Sequence, residues 1–157
     1  MSQGRIILGA DHAGYPLKEA CLAHLREAGY TCEDMGTHST QSCDYPQYAD
    51  LVCRRVLETG MPGLLICGTG LGMSMSANRF PGIRAALCCD EHLARMARQH
   101  NNANVICLGA RVLEETKALA VLDSFLETDF EGGRHKSRLR LMDELGPGSA
   151  PPRREKA

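Results

Sequence analysis

Short apolar runs alternate with amphipathic helical stretches along most of this chain, the pattern of a parallel sheet covered by helices. Five runs read as strands: Arg5 to Gly9, Tyr30 to Met35, Leu64 to Cys67, Arg84 to Cys88 and Val105 to Leu108. The helix between the first two places Leu17, Cys21, Leu22, Leu25 and Ala28 on one face and stops at Gly29. The second helix covers Pro46 to Glu58, with Tyr48, Leu51, Val52 and Val56 inward. Met73 to Arg79 reads as the first turns of another, and Glu91 to Gln99 and Leu113 to Leu126 supply two more. A last, basic helix spans Arg134 to Leu145. The expected architecture is one α/β domain, residues 1–146, built on a five-stranded parallel sheet in three layers. Residues 147–157 form a polar, proline-containing tail expected to be disordered.

A chain of 157 residues with 43% hydrophobic content can bury a real core. Eighteen basic residues against nineteen acidic give a net charge of −1, which provides no case for a nucleic acid or an anionic membrane as partner. No stretch is long and apolar enough for a membrane span, and the N-terminus carries no signal-peptide pattern. A cytoplasmic location is expected. The eight cysteines include no C-x-x-C spacing, so free, mostly buried thiols fit better than disulfides or a metal site.

Chemistry concentrates around Cys67-Gly68-Thr69-Gly70-Leu71-Gly72, where an apolar strand runs into a loop with glycine at every second position. Glycine lets backbone N–H groups converge on a negative charge. The spacing is neither a dinucleotide fingerprint, which needs a glycine where Met73 stands, nor a phosphate loop ending in Gly-Lys-Ser/Thr. What remains is a cradle for a phosphate or a developing oxyanion, beside a thiol that can act as nucleophile or base. Ligands of open α/β sheets bind outside the carboxyl ends of the strands. On that rule Asp11, His12, Cys67, Thr69, His100, Asn101 and Arg111 can line a single cleft. Arg134 and Arg138, four apart, point the same way and suit a phosphate dianion together with Arg111. His24, His38 and His92 read as surface residues.

Gly9-Ala10-Asp11-His12-Ala13-Gly14, Asp44-Tyr45-Pro46, Ile66 to Gly72, Ala77-Asn78, His100-Asn101-Asn102 and Gly133-Arg134-His135 together resemble the type B ribose-5-phosphate isomerase family, which also holds allose- and galactose-6-phosphate isomerases. The resemblance covers about residues 5 to 145. It implies a Rossmann-like fold and a metal- and cofactor-independent aldose–ketose isomerase. It also implies a homodimer or dimer of dimers with sites shared between subunits, onto which the last helix can dock. Cys67 would move a proton between C1 and C2 through a cis-enediolate, and His100, assisted by Asp11, would open the sugar ring. Asp11, His12 and Asn101 would bind the sugar, and Tyr45 would pack against it. The amides of Gly68, Thr69, Gly70, Leu71 and Gly72, with the Thr69 hydroxyl, would stabilise the enediolate. Arg111, Arg134 and Arg138 would grip the phosphate. Some members use a glutamate in place of the cysteine, at the position held here by Met73, which accepts no proton.

The expected activity is interconversion of ribose 5-phosphate and ribulose 5-phosphate in the pentose phosphate pathway. Isomerisation of a six-carbon phosphosugar is the alternative within the same class. A non-catalytic nucleotide- or phosphosugar-binding module explains the glycines and arginines but leaves Cys67 and His100 to chance. A thiol redox protein lacks a resolving cysteine near Cys67.

Overall fold

Strand β3 (Gly63–Cys67) lies at the centre of a five-stranded sheet and is buried along its whole length, as its unbroken apolar sequence requires of a strand covered on both faces. The computed structural model describes residues 4–152. The other strands are β1 (Arg5–Ala10), β2 (Thr31–Asp34), β4 (Ala85–Leu87) and β5 (Val105–Gly109). All pairings are parallel and the order is β2-β1-β3-β5-β4. The helices are α1 (Tyr15–Glu27), α2 (Tyr45–Thr59), α3 (Leu71–Ala77), α4 (Glu91–Gln99), α5 (Glu115–Leu126) and α6 (His135–Asp143).

Period-2 alternation along the strands divides the core in two. Ile6, Leu8, Leu64, Ile66, Ile106 and Leu108 face α1, α4 and α5. Ile7, Leu65, Cys67, Val105 and Cys107 face α2 and α3. These are the expected three layers. The chain winds from β1 outward to β2, then returns to place β3 on the other side of β1. The loops leaving β1 and β3 therefore diverge and open a crevice at their carboxyl ends.

Two expected inward residues lie outside the core. Leu51 is 43% exposed, because Ala49, Val52, Cys53 and Val56 form the buried stripe and Leu51 lies about 200° round the helix from Ala49. Ala28 is exposed as the C-cap of α1, beyond the last buried turn. All eight cysteines are free. Burial pushes the Cys21, Cys53 and Cys88 thiols up to about 12 and raises Cys107 as well. No helix among the described residues is long and apolar enough to cross a membrane. The expected disorder of the tail falls partly on residues 153–157, outside the described residues.

Candidate active site

Cys67 ends β3 with 4% of its surface exposed, and its Sγ accepts the backbone N–H of Gly70 at 3.2 Å. That donor is aimed by Gly70's left-handed backbone, φ +80°. A side chain at Gly70 would be strained, and its Cβ would fall 2.5 Å from Leu87 Cδ1 and 3.0 Å from the Leu108 carbonyl carbon. The exposed Thr69 hydroxyl accepts the Leu71 N–H at 3.3 Å, which tightens the loop where α3 begins. Met73 is buried in the α2–α3 core and points no acceptor at the loop.

Asp11, Tyr45 and Arg111 surround this loop. The Asp11 N–H donates to the Ile66 carbonyl at 3.2 Å, and its Oδ1 accepts the Gly14 N–H at 3.0 Å, closing the turn into α1. Tyr45 opens α2 with 39% exposure, its ring against Gly72, where an added Cβ would lie 2.5 Å from Cζ. The Arg111 N–H donates to the Gly68 carbonyl at 2.9 Å, and its guanidinium covers Gly68. His12 Nδ1 lies 3.1 Å from the Cys43 N–H and 3.2 Å from the Cys43 carbonyl oxygen, which ties the ring to the loop before α2.

His100 and Asn101 are not part of this cluster. His100 caps the carboxyl end of α4, before β5 begins, whereas Cys67 pairs with Gly109 at the far end of β5. A residue just before a parallel strand lies at its amino end, and the two ends of β3 are about 13 Å apart at ~3.3 Å per residue. The expected single cleft is therefore two separate clusters in one chain. The three arginines divide the same way: Arg111 is beside the thiol loop, while Arg134 and Arg138, both exposed, lie at the N-cap and in the first turns of α6, the helix whose His135 meets His100.

At the second cluster the His100 and His135 rings stack, with centroids 4.4 Å apart and planes 17° from parallel. His135 is 6% exposed. Its burial, together with the neighbouring Arg134 and His100, lowers its pKa below the usual histidine value. Glu131 Oε2 lies 3.5 Å from His135 Nε2.

The sequence profile of the Ribose/Galactose Isomerase family matches residues 6–142. The chain belongs to that isomerase family. Ribose-5-phosphate isomerase B of Escherichia coli (strain K12) is 43% identical over 142 residues, 90% of this chain and 95% of that protein. A ribose 5-phosphate isomerase structure from Thermotoga maritima superposes with TM-score 0.88 at 47% identity, covering 90% of this chain and 98% of that one. The Mycoplasma genitalium ribose-5-phosphate isomerase B structure with bound ribulose-5-phosphate gives TM-score 0.85 at 38% identity, covering 92% and 100%.

Within this ribose/galactose isomerase family member, sequence reasoning missed Cys43 as the partner of His12, and carried His135 only within the Gly133-Arg134-His135 motif, with no role of its own. The four-residue spacing of Glu131 and His135 was the available signal for the second. His24 is more than a surface residue: its Nε2 lies 2.8 Å from Asp123 Oδ1 and ties α1 to α5.

Proposed function

We propose that the chain is a ribose-5-phosphate isomerase whose working site is assembled from two copies. The thiol loop of one protomer faces His100, Asn101, Arg134 and Arg138 of a second. The observation that carries this reading is Cys67, placed at the β1/β3 crevice with the Gly70 N–H on its sulfur. A thiolate accepts that hydrogen bond more strongly than a thiol does.

His100 of the second copy gives a proton to the ring oxygen as the C1–O bond breaks, and the C1 hydroxyl, facing Asp11, gives up its proton to become the aldehyde. Cys67 then takes the proton from C2 of the aldose. The electron pair moves onto the carbonyl oxygen, and the charge is met by the amides of Gly68 to Gly72, one such donor being worth ~3–4 kcal/mol. Return of the proton from sulfur to C1, with the O2 hydroxyl proton passing to O1, gives the ketose. The sequence is a proton shuttle with no net redox change, so a nicotinamide or flavin has no role in it.

Arg111 on one side and Arg134 and Arg138 on the other hold the phosphate. They use binding energy remote from the reacting carbons to orient the open chain. Free, mostly buried thiols fit a reducing, cytoplasmic setting.

Cys67→Ala protein should lose turnover while still binding ribose 5-phosphate; near-normal turnover would overturn the assignment. A rate screen over pentose and hexose phosphates separates the five-carbon reading from a six-carbon one.

A further inference from the structure

His100, Glu131 and His135 converge where α4 ends and α6 begins, each offering one ligand atom, and the three atoms lie within 4.8 Å of one another. His135 is buried, and its Nε2 makes no hydrogen bond, meeting only the Glu131 carboxylate at 3.5 Å. Gly132 and Gly133, with φ of +69° and +54°, form the consecutive left-handed turn that brings Glu131 back beside it.

We propose that His100, Glu131 and His135 form a binding site for a divalent cation of the zinc class, whose occupancy withdraws His100 and arrests the isomerase. Two imidazoles and one carboxylate are a donor set zinc accepts, with the fourth position left to water. Magnesium and calcium prefer oxygen, and two of these three donors are nitrogen. Bonds of about 2.1 Å draw the ligand atoms closer than they now lie. The half-exposed His100 ring, now stacked on His135, has the freedom to swing its lone pair toward the ion. His135 is fixed by its burial. The four-residue spacing of Glu131 and His135 shows two of the ligands in sequence, whereas His100 joins them only through the fold.

The nitrogen bound to a metal has no proton to give, and a ring turned to hold the ion no longer faces the sugar, so an occupied site does not open the sugar ring. The binding stands on the three donors alone. Only the effect on turnover rests on the role proposed for His100.

The test titrates Co²⁺ and Zn²⁺ into chelator-stripped full-length protein, wild type and Cys67→Ala, the latter removing the sulfur of the thiol loop. Both should bind stoichiometrically, with the visible absorption of a four-coordinate nitrogen–oxygen cobalt site and no sulfur-to-cobalt charge-transfer band. Glu131→Gln, at an exposed position, should weaken Zn²⁺ at least about tenfold. His135→Asn should weaken it further, with circular dichroism reporting the fold, and Glu131→Gln decides alone if that variant unfolds. Zn²⁺ should slow wild-type turnover, and Glu131→Gln should blunt that inhibition. No stoichiometric binding, a sulfur charge-transfer band as the main signal, or unchanged affinity in Glu131→Gln would overturn the site. Binding without inhibition would retain the site and overturn the role of His100.

Discussion

The backbone N–H of Gly70 points at Cys67 Sγ across 3.2 Å, three residues further along the same loop. The donor is a backbone group, so the loop's backbone conformation sets where it points. Gly70→Ala should break it twice over, through strain at φ +80° and through the clash with Leu87 and the Leu108 carbonyl. A hydrogen bond to a charged group is worth about 1.5–3 kcal/mol, so losing it from the base should lower turnover about 10- to 100-fold. Steady-state kinetics should show kcat falling by about that factor, with phosphosugar affinity less affected. A change of under about threefold would show that this contact has no share in catalysis.

Cys67 and His100 lie at opposite ends of the sheet, and this makes a sharp test of the two-copy site. Cys67→Ala and His100→Asn should each be nearly inactive. In a mixed dimer of the two, one site carries both lesions and the other carries neither. Random reassortment should therefore restore about a quarter of wild-type activity, half the dimers each having one intact site of two. No recovery after verified subunit exchange would place the whole site within one chain.

Much of the fold was legible because strands and helices of this kind write their periods into the sequence. The run Leu64 to Cys67 is apolar at every position because β3 is covered on both faces. The thiol loop was legible too, since glycine spacing reports backbone conformation directly. The separation of His100 from Cys67 was also written there, in that His100 precedes its strand while Cys67 ends one, although the expected cleft joined them. The pairs His12–Cys43 and His100–His135 were not legible, being contacts between segments 31 and 35 positions apart that only the folded chain brings together.

Arg134 and Arg138 sit at the start of α6 with exposed side chains, on the helix whose His135 stacks against His100. Charge-assisted hydrogen bonds to a phosphate contribute about 1.5–3 kcal/mol each, so Arg138→Ala should lower kcat/KM by about 10- to 100-fold. Arg138→Lys keeps the charge but loses the planar fork, and should recover only part of that loss. Size-exclusion chromatography with light scattering should show the oligomer unchanged. Full activity in Arg138→Ala would remove α6 from the phosphate site.

Cys21, Cys53 and Cys88 stay protonated in the folded chain up to about 12, against an ordinary value of 9.0, chiefly because burial disfavours the thiolate. Below the ordinary value both folded and unfolded chains keep these protons, and the thiols add no pH dependence. Above it the unfolded chain releases protons that the folded chain retains, so stability falls as pH rises from 9 toward 12. Each thiol contributes a slope of at most ~1.4 kcal/mol per pH unit. Urea denaturation under reducing conditions at about pH 8 and about pH 10 should show a loss over that interval and little between about pH 7 and 8. Cys53→Ala lowers the starting stability by leaving a small void, yet it should make the alkaline slope shallower by one thiol's share. A slope unchanged in that variant would assign the alkaline loss to other groups, with Tyr30, itself raised by burial, the first to examine.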